Sequence, residues 1–285
     1  MRRVHLLGFV LFSSLLGCAE DKGLPVKPGD SDGKQGSTSN EPPKPEKDDP
    51  AAREIVTKAL AAHTNGKPER LKSIAAQHLA LGGLGMWIDG TNREVPGGRE
   101  SWSVWPDRHS FRFHYRLPNS EQDFVVTGAV VPGDGFVRTA LGEQMRTPPE
   151  RVRATDWDML SLDWYFTPKL LMHPQAIAHH PSRDENGGRP QNLIRFYIPG
   201  YPEWTLRFNA DTHLLEKVEY LGYETGPMPK SISFSDHAEK HGLKVPGRTQ
   251  IYNSNLRVFD LNTINAYEVF DSADKIDPKK FEMPK

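Results

Sequence analysis

Cysteine is almost absent from this chain of 285 residues, which contains a single one, Cys18. One cysteine cannot form an intramolecular disulfide. A single cysteine also excludes a zinc site built from several cysteines and a redox-active CxxC pair. The informative feature is therefore the position of Cys18, which directly follows an apolar segment.

Long apolar runs are also missing. The apolar segment 4–16 is interrupted by polar residues and by glycine, and a membrane-spanning helix needs about 20 predominantly apolar residues. Arg2 and Arg3 precede the segment and supply a short basic start. This arrangement predicts an export signal peptide over residues 1–17.

Neither sign of charge dominates. The chain has 36 basic and 37 acidic residues, and removal of residues 1–17 would leave 34 basic and 37 acidic. This near-balance argues against nucleic acid as a partner. Charged residues make up 26% of the chain, which is typical of a soluble body and not of a protein with many membrane spans.

Catalytic signatures are absent as well. The sequence has no GxSxG, HExxH, P-loop or GxGxxG motif. Two groups of histidines could suggest a metal site, but the eleven histidines are scattered along the chain and no firm helix aligns the second group. They are His173, His179 and His180, and His237 and His241.

Three carboxylates near two tryptophans could suggest sugar hydrolysis, although the polar face of an apolar segment explains them better. They are Asp156, Asp158 and Asp163, with Trp157 and Trp164. We therefore expect no metal, no cofactor and no enzymatic activity.

The segment around Cys18 resembles the lipobox of bacterial lipoproteins. It reads Leu15-Leu16-Gly17-Cys18, with an aliphatic residue three positions before the cysteine and a small residue directly before it. This resemblance implies cleavage before Cys18, lipidation of its thiol and attachment to a membrane. Ala19 favours the outer membrane over the inner. The alternatives are an ordinary signal peptide with an incidental cysteine and a buried free thiol.

Residues 18–48 are predicted to be the lipidated cysteine and a flexible tether. The segment is rich in proline, glycine and charge and has no aromatic residue, so it cannot bury enough apolar surface to offset its ordering entropy. A coil of this length reaches on the order of 30 Å. An interaction tail with its own partner is the alternative interpretation.

The folded domain is predicted over residues 49–285. Asp49 can cap a helix that starts at Pro50, and apolar residues then recur at helical spacing up to His63. A second short helix is predicted over residues 68–77.

From residue 78 the apolar period changes to two, which predicts strands. The clearest example is Phe111, Phe113 and Tyr115, which alternate with charged residues and histidine. The predicted strands span 79–88 (bent at Gly82-Gly83), 101–106, 111–117, 124–131, 135–141, 193–198, 203–208, 215–223, 231–234, 249–253, 256–261 and 264–270. The tail is expected to dock Phe281 and Met283 on this body. The pattern predicts one α+β domain with an antiparallel sheet.

Residues 148–180 interrupt the strand series and are predicted to form one or two short helices. This is the most apolar part of the body, and left exposed it would form a patch larger than soluble monomers tolerate. We therefore expect it to pack into the concave side of the sheet as a plug or a lid. Together with aromatic strand residues it gives the predicted ligand-cavity residues: Trp102, Phe111, Phe113, Tyr115, Leu160, Trp164, Phe166, Leu170 and Leu171.

The order of these features is similar to the LolA/LolB-like lipoprotein-carrier superfamily over residues 50–285. The resemblance rests on a series of local segments, none of them catalytic. They are Asn65 to Leu71 after the first helix, the Gly82-Gly83-Leu84-Gly85 strand, the mid-chain apolar segment, the Phe208 to Thr212 hairpin, the strand at Glu216 to Tyr220, Gly242 to Pro246, Ile251-Tyr252-Asn253 and the ending from Asp277 to Pro284. It implies an incomplete antiparallel β-barrel, of about 11 strands here, with helices covering the concave side and an apolar interior that can hold acyl chains.

These observations predict a non-enzymatic, membrane-anchored lipoprotein that is monomeric and binds an acyl chain or another apolar ligand. Its partners would be the membrane and that ligand, and its expected place is the outer membrane, facing the periplasm. The alternative is a protein-interaction module of an envelope complex that has no small ligand. An enzyme is the third hypothesis and would require a cleft with converging polar groups.

Overall fold

The described chain opens with two helices and continues mainly as β-strands. A computed structural model describes residues 47–87, 93–106, 108–116, 123–138, 142–147, 166–185, 189–199, 201, 203–222 and 228–282. The helices are α1 (Pro50–His63), α2 (Glu69–Lys72) and α3 (Phe166–Leu170). The strands are β1 (Ala76–Trp87), β2 (Arg93–Val104), β3 (Arg108–Arg116), β4 (Asp123–Val131), β5 (Asp134–Arg138), β6 (Gln144–Arg146), β7 (Ile177–Asp184), β8 (Gln191–Tyr197), β9 (Trp204–Asn209), β10 (Leu215–Gly222), β11 (Met228–Ser235), β12 (Ala238–Lys240), β13 (Leu243–Val245), β14 (Arg248–Asn253) and β15 (Leu256–Phe270). Two 3-10 turns follow, Ala273–Lys275 and Pro278–Phe281.

Helix α1 begins as its sequence predicts. The Asp49 side chain accepts hydrogen bonds from the backbone N–H of Ala51, at 2.8 Å, and from that of Ala52. These bonds satisfy two of the free donors of the first turn. One side of the helix is buried, and its residues are Ala52, Val56, Ala59 and His63. Since alanine leaves little side-chain volume, the helix axis can approach the sheet closely.

Thirteen of the described strands form one open antiparallel sheet. Their order is β6-β5-β4-β3-β2-β1-β15-β14-β11-β10-β9-β8-β7, and β12 pairs only with β13. The predicted antiparallel α+β architecture is confirmed, with 13 strands in the sheet where the sequence predicted about 11. The two edge strands, β6 and β7, follow one another in the order of the described strands.

The pairing of β1 with β15 joins the two halves of the sheet. The register runs from Ala76 opposite Phe270 to Gly85 opposite Phe259, with shifts at Ala80/Leu81 and at Gly82/Gly83. The bend predicted at Gly82-Gly83 thus coincides with an irregularity in the ladder, as expected where glycine relaxes the backbone. The β15 strand continues through this region, so the two strands predicted over 256–261 and 264–270 are one. The two predicted strands form one because β1 pairs with β15 on both sides of the register shifts.

The two faces of the sheet carry different clusters. We call the face that includes Phe111 and Leu206 the core face, because its side chains join one large buried cluster with α1, α2 and α3 residues. The opposite face carries a smaller cluster, in which Ile276 and Phe281 from the tail pack with Ala76. The predicted docking of Phe281 is therefore confirmed, and Met283 lies outside the described residues.

The second helix is shorter than predicted. It ends at Lys72, and the backbone N–H of Ala75 already donates to Phe270 O, at 2.7 Å. The expected helix over residues 68–77 was wrong at its C-terminal end, because the sheet captures the backbone there. Periodicity did not reveal this tertiary pairing.

The mid-chain segment also differs from its prediction. A short helix, α3, is present. The prediction that helices extend to residue 180 was wrong, since β7 starts at Ile177 and pairs with β8. Residues 148–165 lie outside the described part. The longest described helix, α1, has 14 residues, and no helix of the described residues is long and apolar enough to cross a membrane.

Candidate functional site

Strand β3 builds an aromatic wall on the core face. Phe111, Phe113 and Tyr115 are buried at alternate positions, as their period of two predicts. The ring centroids of Phe111 and Phe113 are 5.6 Å apart. Phe259 of β15 stacks on Phe113 at 5.3 Å and on Tyr115 at 4.9 Å. The wall therefore extends across β1, which lies between β2 and β15.

Glycine makes this extension across β1 possible. A Cβ atom placed on Gly85 would lie 2.2 Å from Cε1 of Tyr115 and 3.2 Å from Cε1 of Phe259. These rings therefore occupy the space that a side chain of β1 would fill. Burial raises the pKa of the Tyr115 hydroxyl, so the phenol stays neutral and the wall uncharged at physiological pH.

A buried arginine interrupts the apolar surface. Arg99 of β2 lies between Leu81 and Phe113 in the strand register, and only 2% of its surface is exposed. Its guanidinium carbon is 5.9 Å from the centroid of the Phe113 ring, within the range of a cation–π contact. The core face thus combines aromatic surface with a fixed positive charge.

The other half of the sheet continues the apolar surface. Trp204, Leu206 and Phe208 of β9 are fully buried, and Trp204 stacks with Phe196 of β8 at 6.1 Å. These residues belong to the same cluster as Phe111 and the buried side of α1. A single apolar surface therefore spans the sheet from β5 to β8.

Three further polar residues are buried on the core face at the start of β1 and the end of β2. The register aligns Gln77, Ser103 and His109 across β1, β2 and β3. Lys169 of α3 reaches the same end of the sheet, where its Nζ donates a hydrogen bond to Ile74 O.

The predicted cavity residues do not all share one face. Leu170 and Leu171 are buried in the same core cluster as the wall residues. Trp102 instead lies on the opposite face, where it stacks on His78 at 5.1 Å and lies 3.8 Å beneath Nζ of Lys280. The reason is its register position, one residue out of phase with Ser101 and Ser103.

The remaining predicted residues are only partly described. Phe166 begins α3, whereas Leu160, Trp164 and the lipidation site Cys18 lie outside the described residues. Sequence reasoning missed several residues that the structure places on the core face: Gln77, Arg99, Lys169, Phe196, Trp204, Phe208 and Phe259. Alternation within β9 could have identified Trp204 and Phe208, but no local pattern marks Arg99 or Lys169 as buried.

The histidines are held by neighbouring protein groups. His179 Nε2 lies 3.0 Å from Glu203 Oε2, and the ring of His237 lies 6.1 Å from that of His63. Among the described residues, no group of three or more His, Cys, Asp or Glu side chains is arranged to hold a metal ion.

The opposite face carries two shallow grooves over the C-terminal half of the sheet. One has a volume of about 420 Å³ and is lined partly by Lys217, Glu219 and Lys230. The other, of about 560 Å³, is lined partly by His180 and Arg195 and shares Thr205 with the first. Both are open and charged, in contrast to the core face.

Comparison with known proteins relates this chain to others by fold. No protein-family model matches the sequence, and no curated protein matches it in sequence. A DUF1329 family protein from Desulfovibrio piger has a TM-score of 0.50 at 10% identity, covering 81% of this chain and 96% of its own.

Two further structures cover similar shares. A putative outer membrane lipoprotein-sorting protein domain from Vibrio parahaemolyticus has a TM-score of 0.48 at 11% identity, covering 79% of this chain and 97% of its own. The LolA superfamily protein NE2245 from Nitrosomonas europaea has a TM-score of 0.48 at 12% identity, with coverage of 81% and 97%. At these identities the likeness concerns the fold alone.

Proposed function

We propose that this protein is a non-enzymatic, membrane-anchored envelope lipoprotein whose core face holds an acyl chain or another apolar ligand. The observation that carries the proposal is the continuous apolar surface of an open sheet, from the aromatic wall of β3 to Trp204 of β9. Sites for apolar ligands are lined mainly by hydrophobic and aromatic side chains with a few polar groups at defined places, and this face has that composition.

In this proposal the core face is the concave side of a half-barrel, and helices cover it. Support comes from α1 and α3, since Val56 of α1, Leu170 of α3 and the following Leu171 join the core cluster. Since α3 is followed by the edge strand β7, movement of this part of the chain would change access to the concave side. The helices thus act as the cover of the ligand site.

The anchoring part of the proposal rests on the sequence. The lipobox-like segment ending at Cys18 would attach the protein to the membrane, and the tether up to residue 48 would hold the domain above the surface. Ala19 after the cysteine supports placement at the outer membrane, facing the periplasm. An acyl-binding domain tethered in this way could take its ligand from the membrane that anchors it.

Lipid analysis of the purified chain starting at residue 19 tests the ligand directly. We expect extraction and mass spectrometry to find co-purifying lipid, and an apolar fluorescent dye to compete with it. Phe113→Ala on the core face should weaken dye binding. The matched control is Phe136→Ala, because Phe136 is equally buried but lies on the opposite face. Equal effects of the two changes, or no bound lipid and no dye binding, would reject the proposal.

A protein-interaction module without a small ligand is the second candidate. The two charged grooves on the opposite face favour it, because polar and charged residues are common at the rims of transient interfaces. In that case the chain would purify without lipid, and charge reversal at Lys217 would disrupt a complex isolated from the envelope.

A further inference from the structure

The polar residues at one end of the core face form a defined row. Gln77, Ser103 and His109 are direct cross-strand partners on β1, β2 and β3, and each is at most 1% exposed. Side chains at such positions lie about 5 Å apart and point to the same side of the sheet. The row therefore closes one end of the apolar surface with hydrogen-bonding groups.

Gln77 has unused hydrogen-bonding capacity. Its side chain is completely buried, and among the described residues neither Oε1 nor Nε2 has a hydrogen-bond partner. A buried amide without partners is unfavourable, because water no longer solvates either atom. A group that binds there would gain the bonds that the protein itself does not supply.

Lys169 presents a buried cation at the same end. The residue is 8% exposed, and its Nζ donates to Ile74 O and lies 4.9 Å from the centroid of the Trp105 ring. No described carboxylate forms an ion pair with it. Burial lowers the pKa of Lys169 to about 8, so the ammonium remains mainly charged at neutral pH. A buried charge of this kind is costly unless an anion compensates it.

The backbone brings these two groups together. Ile74, which accepts the bond from Lys169, lies three residues before Gln77 in the chain. Trp105, beneath the ammonium, lies two residues after Ser103, and its N–H donates to Ala75 O at 2.9 Å. Both groups therefore lie where β1 begins and β2 ends.

We propose that Lys169 and Gln77 bind the anionic head group, a carboxylate or a phosphate, of an amphiphilic ligand whose acyl chain lies along the aromatic wall. This inference rests on the proposed function and adds the ligand's class and direction. The ammonium and the amide N–H would donate to the oxyanion, and bonds from charged groups are the stronger ones. An uncharged lipid would leave the Lys169 ammonium without a counter-ion.

The wall has the length that this arrangement requires. From the polar row, the core-face positions continue through Phe111 and Phe113 to Tyr115. At about 3.3 Å per residue, the distance from His109 to Tyr115 along β3 is roughly 20 Å. The apolar surface therefore begins at the polar row and extends far enough to contact a long acyl chain along most of its length.

Competition with three ligands of equal chain length tests the proposal. The lipid-free full chain from residue 19 is loaded with an apolar dye, which is displaced by palmitate, by 1-palmitoyl lysophosphatidylglycerol or by uncharged hexadecanol. We expect at least one anionic ligand to bind about tenfold more tightly than hexadecanol, the effect of one charged hydrogen bond. The stronger of the two anionic ligands identifies carboxylate or phosphate as the head group.

Two variants connect this preference to the site. Lys169→Met and Gln77→Leu should each abolish the preference for the anionic ligand over hexadecanol. Hexadecanol should still displace the dye from both variants. Lys72→Met is the matched control, since Lys72 is exposed on α2, and should retain the preference. Thermal melting checks folding, and Lys169→Gln serves in place of Lys169→Met if that variant does not fold.

The outcomes separate this inference from the proposed function. Equal binding of hexadecanol and both anionic ligands by the unaltered chain overturns the head-group site and leaves acyl binding intact. Retention of the preference in folded variants at both Lys169 and Gln77 overturns it as well. Failure of all three ligands and the dye to bind overturns both proposals.

Discussion

The backbone N–H of Leu215 donates a hydrogen bond to Nε2 of His63, 2.9 Å away in the buried interior. Because Nε2 accepts this bond, the proton of the neutral ring is on Nδ1, which faces Lys244 O at 3.4 Å. His63 belongs to the last turn of α1. One imidazole thus joins α1 to β10 and to β13, and it can do so only while neutral.

Acid should therefore destabilise the fold through His63. Burial, together with the nearby His237, lowers the pKa of His63 to about 3. The unfolded chain, with a histidine pKa of about 6.5, binds this proton more readily than the folded chain. Stability should be complete above pH 6.5 and should fall as the pH decreases towards 3. Each pKa unit is worth about 1.4 kcal/mol, so the loss is several kcal/mol.

Urea unfolding between pH 7 and pH 4 measures this effect. His63→Gln should lower stability at pH 7 and flatten its dependence on pH. The control is His173→Gln in the partly exposed loop after α3, which should keep the slope of the unaltered chain. Identical slopes for His63→Gln and the unaltered chain would contradict the role of this histidine. Burial also lowers the pKa of His237, although the nearby Glu216 and Asp236 oppose this shift, so some slope should persist.

Gly85→Ala should destabilise the protein by about 1–3 kcal/mol, the usual cost of overpacking. The added methyl group would lie 2.2 Å from the Tyr115 ring, so the ring must move. Combining Gly85→Ala with Tyr115→Val should cost less than the sum of the single changes, because the second removes the clash. Chemical denaturation of the four proteins gives the coupling, and strict additivity would argue against this contact.

Leu170→Ala should lower the stability by about 2–5 kcal/mol, because Leu170 is buried in the core cluster. Leu256→Ala is the control for an exposed leucine, and its cost should stay below about 0.5 kcal/mol. If both changes have the same small effect in thermal melts but Leu170→Ala weakens dye binding, the segment behaves as a mobile lid and not as a plug.

Cys18→Ser should abolish acylation and either release the protein from membranes or leave an uncleaved precursor. The reason is that the thiol is the only lipid acceptor a sequence with one cysteine can provide. Cell fractionation and the precursor size on a gel give the result. Unaltered membrane attachment and size in the variant would reject the lipobox interpretation.

Limited proteolysis should cut first within residues 19–48 and leave a resistant core that starts near residue 49. Asp48 and Asp49 are already tied to the body, since their groups bond to the backbone of Ala178. N-terminal sequencing of the first fragments measures the boundary. First cuts within residues 78–145 would contradict it.

Much of the sheet followed from alternation in the sequence. Strands with bulky residues at every second position, such as β3 and β14, were predicted within a few residues. The sequence did not predict the first half of β2, because Pro96, Gly97 and Gly98 are residues typical of a turn. In the structure Gly97 and Gly98 pair with Gly83 and Gly82, and the two β2 glycines make room for the side chains of Tyr115 and His114 on β3.

The site was harder to predict than the fold. Phe111, Phe113 and Tyr115 were identified because a half-buried strand shows alternating apolar and polar residues within a short stretch of sequence. Gln77 and Lys169 were not, since a polar residue near a strand end is usually solvated. Only the register of three strands and the docking of α3 show that these side chains are buried.

The pairing of β1 with β15, which we call the seam of the sheet, affects how the chain folds. Each half of the sheet consists mainly of strands that follow one another in sequence and can pair soon after synthesis. The seam joins Ala76 to Phe270, a contact of very long sequence separation, and such contacts form slowly. Until β15 has been made, β1 is an exposed edge that can aggregate with other chains. During synthesis such a chain would depend on a holding chaperone, and truncation before β15 should turn it into an aggregating fragment.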